Sequence, residues 1–168
     1  MAEPGRVAAV VVTYDALPWI ENCLDSLAGV ETVVVDNGSS DGTVAFVRER
    51  YPGARLLESE NKGLGAGWNI GIRETNAPYV LLLNADAWMT EGSLDRLVDF
   101  AERRTRAAVV GPRLSNPDGT LQRSVRGYPS VWRLATEYLF LRKLAPRSST
   151  LNASCRAARK ARCTTRSG

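Results

Sequence analysis

The chain has 168 residues, room for one domain with a sizeable core, and its 44% hydrophobic and 24% charged content excludes a disordered or fibrous protein. The net charge of +4 hints at nucleic acid until it is divided: residues 1–145 carry 16 basic and 18 acidic side chains, residues 146–168 six basic and none acidic. The folded part is thus near neutral and no nucleic-acid partner is expected. Histidine is absent, so any general base must be a carboxylate, and a metal is expected on oxygen ligands.

Val7–Tyr14 is an almost unbroken apolar run rich in valine, the pattern of a strand buried on both faces. Leu17–Leu27 spaces Trp19, Ile20, Cys23, Leu24 and Leu27 on one face and predicts a helix with Cys23 in the core. Thr32–Val35 is a second strand ending at Asp36, followed by the dense turn chemistry of Asn37 to Gly42. Thr43–Tyr51 is a helix closed by Pro52-Gly53, and Arg55–Glu58 a short third strand. Gly63, Gly65, Gly67 and Gly71 open a helix through Ile70 and Ile72, and Tyr79–Leu83 is the fourth strand.

Ser93 is expected to cap a helix that buries Leu94, Leu97, Val98 and Phe100, and Ala107–Val110 to form a fifth strand. Asn116-Pro117-Asp118-Gly119 reads as a turn joining two short strands, and Val131–Leu144 as a helix. Residues 1–145 are expected to form the domain. Residues 146–168, with Leu151 as their one large apolar side chain, read as a basic disordered tail, a texture that a shifted frame or an artificial end would also produce. Cys155 and Cys163 lack metal-ligand spacing, so a reducing cytoplasm is the default. No stretch reaches the ~18 apolar residues of a membrane span; a soluble chain is expected, with peripheral membrane association left open.

Strands alternating with helices at this spacing predict an α/β fold with a mainly parallel sheet, in which ligands bind beyond the carboxyl ends of the strands. Those ends read Thr13-Tyr14-Asp15, Asp36-Asn37, Ser59-Glu60-Asn61 and Asn84-Ala85-Asp86, all polar. A binding edge is expected there. The glycine stretch does not reproduce the dinucleotide-binding spacing and follows the third strand, so close helix packing is the better reading.

Four segments, Val10–Tyr14, Val33–Thr43, Asn61–Gly71 and Leu81–Ala87, appear in this order and together resemble family-2 glycosyltransferases of the GT-A fold, in particular the rhamnosyltransferase-like branch of bacterial cell-wall and polysaccharide assembly. The resemblance covers roughly residues 7–130. It implies a Rossmann-like α/β/α sandwich that binds a pyrimidine nucleotide-diphospho-sugar, dTDP-rhamnose or a UDP-sugar, for inverting transfer to a glycan or lipid-linked acceptor, in the cytoplasm or at the inner face of the membrane.

By the same resemblance Thr13, Tyr14 and Asp15 line the nucleotide pocket, and Asp36 accepts the imide N–H of the base. Asn84-Ala85-Asp86 stands at the Asp-x-Asp metal motif with the first acid replaced, leaving Asp86 as direct ligand of Mg2+ or Mn2+. Asn61 and Asn69 fix the glycine loop or touch nucleotide. Each has a plainer reading: Asp36 as a turn residue and Asn84-Ala85-Asp86 as a simple turn; Arg113, Arg123 and Arg126 could face phosphates, but scattered arginines read as solvated surface. Inverting transfer also needs a base. Beyond Asp118 the chain holds one acid, Glu137, inside an apolar helical pattern, so no base is assigned and the acceptor half looks missing. A nucleotidyltransferase would need a Gly-rich basic loop after the first strand, which Thr13–Pro18 lacks. A degenerate nucleotide-binding module without transfer activity, and a binding module whose basic tail grips nucleic acid or an anionic membrane surface, stay open.

Overall fold

The computed structural model describes residues 5–122. The chain divides after Gly111 into two units. The expected helix at Val131–Leu144, Glu137, Arg123, Arg126 and the tail lie outside the described residues.

In the first unit β1 (Val7–Thr13), β2 (Glu31–Asp36), β3 (Arg55–Glu58) and β4 (Tyr79–Asn84) form a parallel sheet in the order β3-β2-β1-β4. Every residue of β1 is buried, which explains its valine-rich run: it has a neighbour at each edge and helices over both faces. Between the strands run α1 (Ile20–Asp25), α2 (Thr43–Arg50) and α3 (Leu64–Arg73), and α4 (Ser93–Glu102) follows β4. Alternation along β1 divides the core into two layers. Ala9 and Val11 pack with Val34, Leu83, the α1 residues Ile20, Cys23 and Leu24, and Val47 of α2. Val10 and Val12 pack on the other face with Val33, Val35, and Trp68 and Ile70 of α3. The α/β/α layering follows.

Two glycines let α3 approach the sheet. A Cβ on Gly71 would lie 2.2 Å from Val10 Cγ1, and one on Gly67 2.8 Å from Val12 Cγ1. A Cβ on Gly65 would meet nothing within 4 Å. Only part of the glycine run therefore serves packing.

Several expectations need correction. Helix α1 is shorter than Leu17–Leu27: Trp19 and Ile20 N–H both turn back on Ala16 O, and Trp19 is 51% exposed, outside the buried face. Ser93 does not cap α4; it is the first helical residue, Gly92 in left-handed conformation precedes it, and its hydroxyl donates to Thr90 O. Phe100 is not buried but lies under the Arg104 guanidinium, 5.6 Å from the ring centroid. Ala107–Val110 is not a strand, and Val109 is 89% exposed. Four apolar residues make a strand only where a neighbour takes their amides and a layer covers their side chains, and this segment has neither among the described residues.

In the second unit Asn116-Pro117-Asp118-Gly119 forms the expected turn, Gly119 N–H donating to Asn116 O with Gly119 in left-handed conformation (φ 79°). The flanking strands reduce to one antiparallel bridge, Ser115 with Leu121.

Candidate functional site

Because all four strands run parallel, their carboxyl ends share one edge. Thr13 sits beside Asp36, and Val12 beside Asn84. The return of the chain from β3 to β4 beside β1 makes the switch point at which parallel α/β sheets take ligands.

Beyond β2 and β3 an open cleft of about 470 Å³ is lined by Asp36, Gly38 and Ser39 on one side and Glu58, Ser59 and Glu60 on the other. Its two walls are tied where Ser59 N–H donates to Asp36 O. Asp36 is 2% exposed. Its Oδ2 accepts the N–H groups of Gly38 and Ser39, both at 2.9 Å, and its Oδ1 the Ser39 hydroxyl. The turn role and the cleft position thus coexist, and the turn takes three of the roughly four lone-pair positions of the carboxylate.

Thr13 is buried, and its Oγ1 finds no partner among the described residues. Tyr14 is 55% exposed beside it. Asp15 has left-handed backbone (φ 47°), and its Oδ1 accepts Ser40 N–H at 2.7 Å. Asn84 and Asp86 are both exposed, and neither side chain has a hydrogen-bond partner among the described residues.

Two strand spacings, about 10 Å, separate the ends of β2 and β4. Asp36 shares the sheet face of Val34, two residues before it, which is the face covered by α1 and α2. Asp86 is close enough to Cys23 of α1 for its charge to act on the thiol: burial first, then Asp86, push the Cys23 pKa up to about 12. Both carboxylates therefore lie at the same carboxyl edge of the sheet, Asp86 in the turn beyond β4, although the cleft itself takes in Asp36 and not Asp86. Native Cys23, fully buried and held protonated, is expected to resist alkylation at pH 8 and to label readily on unfolding. Peptide mapping after iodoacetamide checks this.

The two asparagines fare differently. Asn61 Oδ1 accepts Gly63 N–H at 3.1 Å and so shapes the loop before α3, whose Gly63 O in turn accepts from Asn37 Nδ2 of the β2 end. Asn69 is exposed and lies about 200° around the helix from Gly67, which faces the sheet. The structure does not bring Asn69 to the rim. Conversely Ser39, Glu58, Ser59 and Glu60 line the cleft without having been singled out as contacts. Asp36-x-x-Ser39 carried the signal for the first, an acid whose side chain caps its own turn, and position at the end of a parallel strand or just beyond it for the others.

A layered parallel α/β domain with its polar groups gathered at the switch-point edge is a nucleotide-binding architecture. The chain belongs to glycosyl transferase family 2, whose family model matches residues 8–162. It is 36% identical over 141 residues to the N-acetylglucosaminyl-diphospho-decaprenol L-rhamnosyltransferase of Mycobacterium tuberculosis, covering 74% of this chain and 46% of that protein. The chain thus spans about half the length of this relative. Among solved structures it is similar to the mannosyltransferase PcManGT from Pyrobaculum calidifontis, determined with GDP-Man and Mn2+. The TM-score is 0.57 at 28% identity, covering 70% of this chain and 37% of that one. S. aureus TarS 1-349 matches at TM-score 0.53 and 22% identity, over 60% of this chain and 33% of that one, and shows the shared fold.

Proposed function

We propose that this chain is the donor-binding part of an inverting glycosyltransferase that takes a pyrimidine nucleotide-diphospho-sugar, dTDP-rhamnose or a UDP-sugar, with Mg2+ or Mn2+. The acceptor is a glycan or a lipid-linked saccharide, and the setting the cytoplasm or the inner face of the membrane. The observation that carries the proposal is the placement of Asp36, in a cleft at the sheet's carboxyl edge, with Asp86 exposed at the same edge two strands away. The family membership and the M. tuberculosis relative support the transfer chemistry and the rhamnosyl donor.

Asp36 keeps one acceptor position beyond those its turn uses, enough for the single N–H of a pyrimidine imide. Glu58 and Glu60 line the same cleft, each paired with a cation, Arg48 and Lys62 respectively. Asn84 and Asp86 fit a hard divalent cation: both present oxygen donors at the edge, neither engaged by another described side chain. No group of three potential ligands occurs among the described residues. Protein ligation is therefore expected to be sparse, with the diphosphate completing the shell. When bound, the cation neutralises charge on the leaving nucleoside diphosphate.

Isothermal titration with dTDP and UDP, each with and without Mn2+, tests the proposal. Saturable binding of at least one nucleotide, tightened about tenfold or more by Mn2+, is the expected result. Absence of binding to both in the presence of Mn2+ overturns it.

A further inference from the structure

The three backbone N–H groups that follow the exposed Tyr14 are all taken by side chains of the loop after β2 and of the first residue of α2. Asp15 N–H donates to Ser39 Oγ at 2.9 Å, Ala16 N–H to Thr43 Oγ1 at 3.1 Å, and Leu17 N–H to Asp41 Oδ2 at 2.9 Å. The return contact runs from Ser40 N–H and its hydroxyl to Asp15 Oδ1.

The direction of each hydroxyl is forced. Ser39 and Thr43 each have one proton, and an ionised carboxylate can only accept. Ser39 gives its proton to Asp36 Oδ1, and Thr43 to Asp41 Oδ1 at 2.5 Å. That leaves their lone pairs for the amides of Asp15 and Ala16. Asp41 also accepts Thr43 N–H at 3.0 Å, so one carboxylate anchors the start of α2 and the end of the β1–α1 loop together. Desolvation raises the Asp41 pKa, but the Thr43 hydroxyl and the Leu17 and Thr43 amides outweigh it and hold the carboxyl below its ordinary value. Thr43 is fully buried, and neither Asp41 nor Thr43 lines the cleft. Asp15, held in left-handed backbone that an aspartate adopts at a cost, is the residue this arrangement locks.

We infer that Asp41 and Thr43, with Ser39, are positioning residues for nucleotide binding: they fix Thr13-Tyr14-Asp15 in the shape that receives the donor, without touching it through Asp41 or Thr43. The inference rests on the donor reading above. It assigns the acid and hydroxyls of the Asp36–Thr43 loop to the neighbouring loop as well as to their own turn.

The test pairs nucleotide affinity with amide exchange read by NMR, in Thr43→Val, Thr43→Ser and Asp41→Asn. Thr43→Val removes the acceptor for Ala16 N–H, and Asp41→Asn removes an acceptor from the Leu17 and Thr43 set. Each is expected to accelerate exchange at Ala16 or Leu17 and to weaken dTDP or UDP binding about tenfold. Measurements are made well below the unfolding temperature, on fully folded protein. Thr43→Ser, which keeps the hydroxyl, is expected to restore both readouts; a role in stability alone would lower the melting temperature and leave affinity unmoved. If Thr43→Val does not fold, Asp41→Asn on the half-exposed loop decides. Unchanged affinity in the folded variants, or unchanged exchange at Ala16 and Leu17, overturns the inference while the donor reading stands. Failure of the wild-type chain to bind either nucleotide overturns both.

Discussion

Replacing Gly71 by alanine is expected to destabilise the domain by about 2 kcal/mol, whereas the same change at Gly65, six residues earlier in the same helix, is expected to stabilise it by up to about 1 kcal/mol. Helix propensity favours alanine at both sites equally, so packing alone sets the sign. A Cβ at Gly71 would stand 2.2 Å from Val10 Cγ1 and 3.3 Å from both Val10 Cβ and Cγ2, and none of these can yield easily. Val10 is fully buried, its β-branched side chain is stiff about χ1, and its strand is paired on both edges. The relief left is for α3 to lift from the sheet, which opens the contacts of Trp68 and Ile70 with the layer of Val10, Val12, Val33 and Val35. At Gly65 the new methyl meets nothing within 4 Å. Urea denaturation of the two variants checks the signs. Val10→Ala combined with Gly71→Ala is expected to recover roughly 1 kcal/mol relative to the sum of the single changes, since the methyls that clash are then gone. Equal effects at Gly65 and Gly71 would show that α3 does not approach the sheet as described.

Asp86→Asn is expected to abolish the Mn2+-dependent part of nucleotide binding, at least about a tenfold loss of affinity, and to leave metal-free affinity unchanged or slightly improved. The substitution keeps the shape and removes the charge. Nothing in the fold depends on that charge: Asp86 is exposed, has no hydrogen-bond partner among the described residues, and its one resolved electrostatic effect is to discourage ionisation of Cys23. Stability is therefore expected to shift by less than about 0.5 kcal/mol. Titration of dTDP and UDP into the variant, with and without Mn2+, separates the outcomes. A variant that keeps the full Mn2+ enhancement would remove Asp86 from the metal reading. A variant that loses metal-free binding to the same extent would make Asp86 a nucleotide contact instead.

The strands were legible because their signal is local. Val7–Thr13 and Glu31–Asp36 are sheet-core segments flanked on both edges, and such segments are apolar at consecutive positions whatever the rest of the chain does. The polar groups at their ends were legible for the same reason: where the strand stops, the residue type changes within one or two positions, even though Thr13 and Asp36 are themselves buried. That step located Thr13, Asp36, Asn84 and Asp86 at strand ends before any topology was known. Helix ends were less legible. Pro18 and the turn at Ala16 shortened α1, and Gly92 displaced Ser93 from the cap, because competition between backbone conformations is settled by the neighbouring turn.

What the sequence by itself determined is the alternation of strands and helices, the parallel sheet that alternation implies, and the set of polar residues at the strand ends. Only the tertiary structure decided the order β3-β2-β1-β4, the outward position of Asn69, the exposure of Trp19 and Phe100, and the failure of Ala107–Val110 to become a strand. It also decided where the polar groups spend their hydrogen bonds: Asp15, Ala16 and Leu17 find their acceptors 24 to 27 residues away. Burial period and turn chemistry are written in neighbouring residues, whereas a hydrogen-bond partner two dozen residues distant, or the strand that would pair with an apolar segment, exists only once the chain has folded.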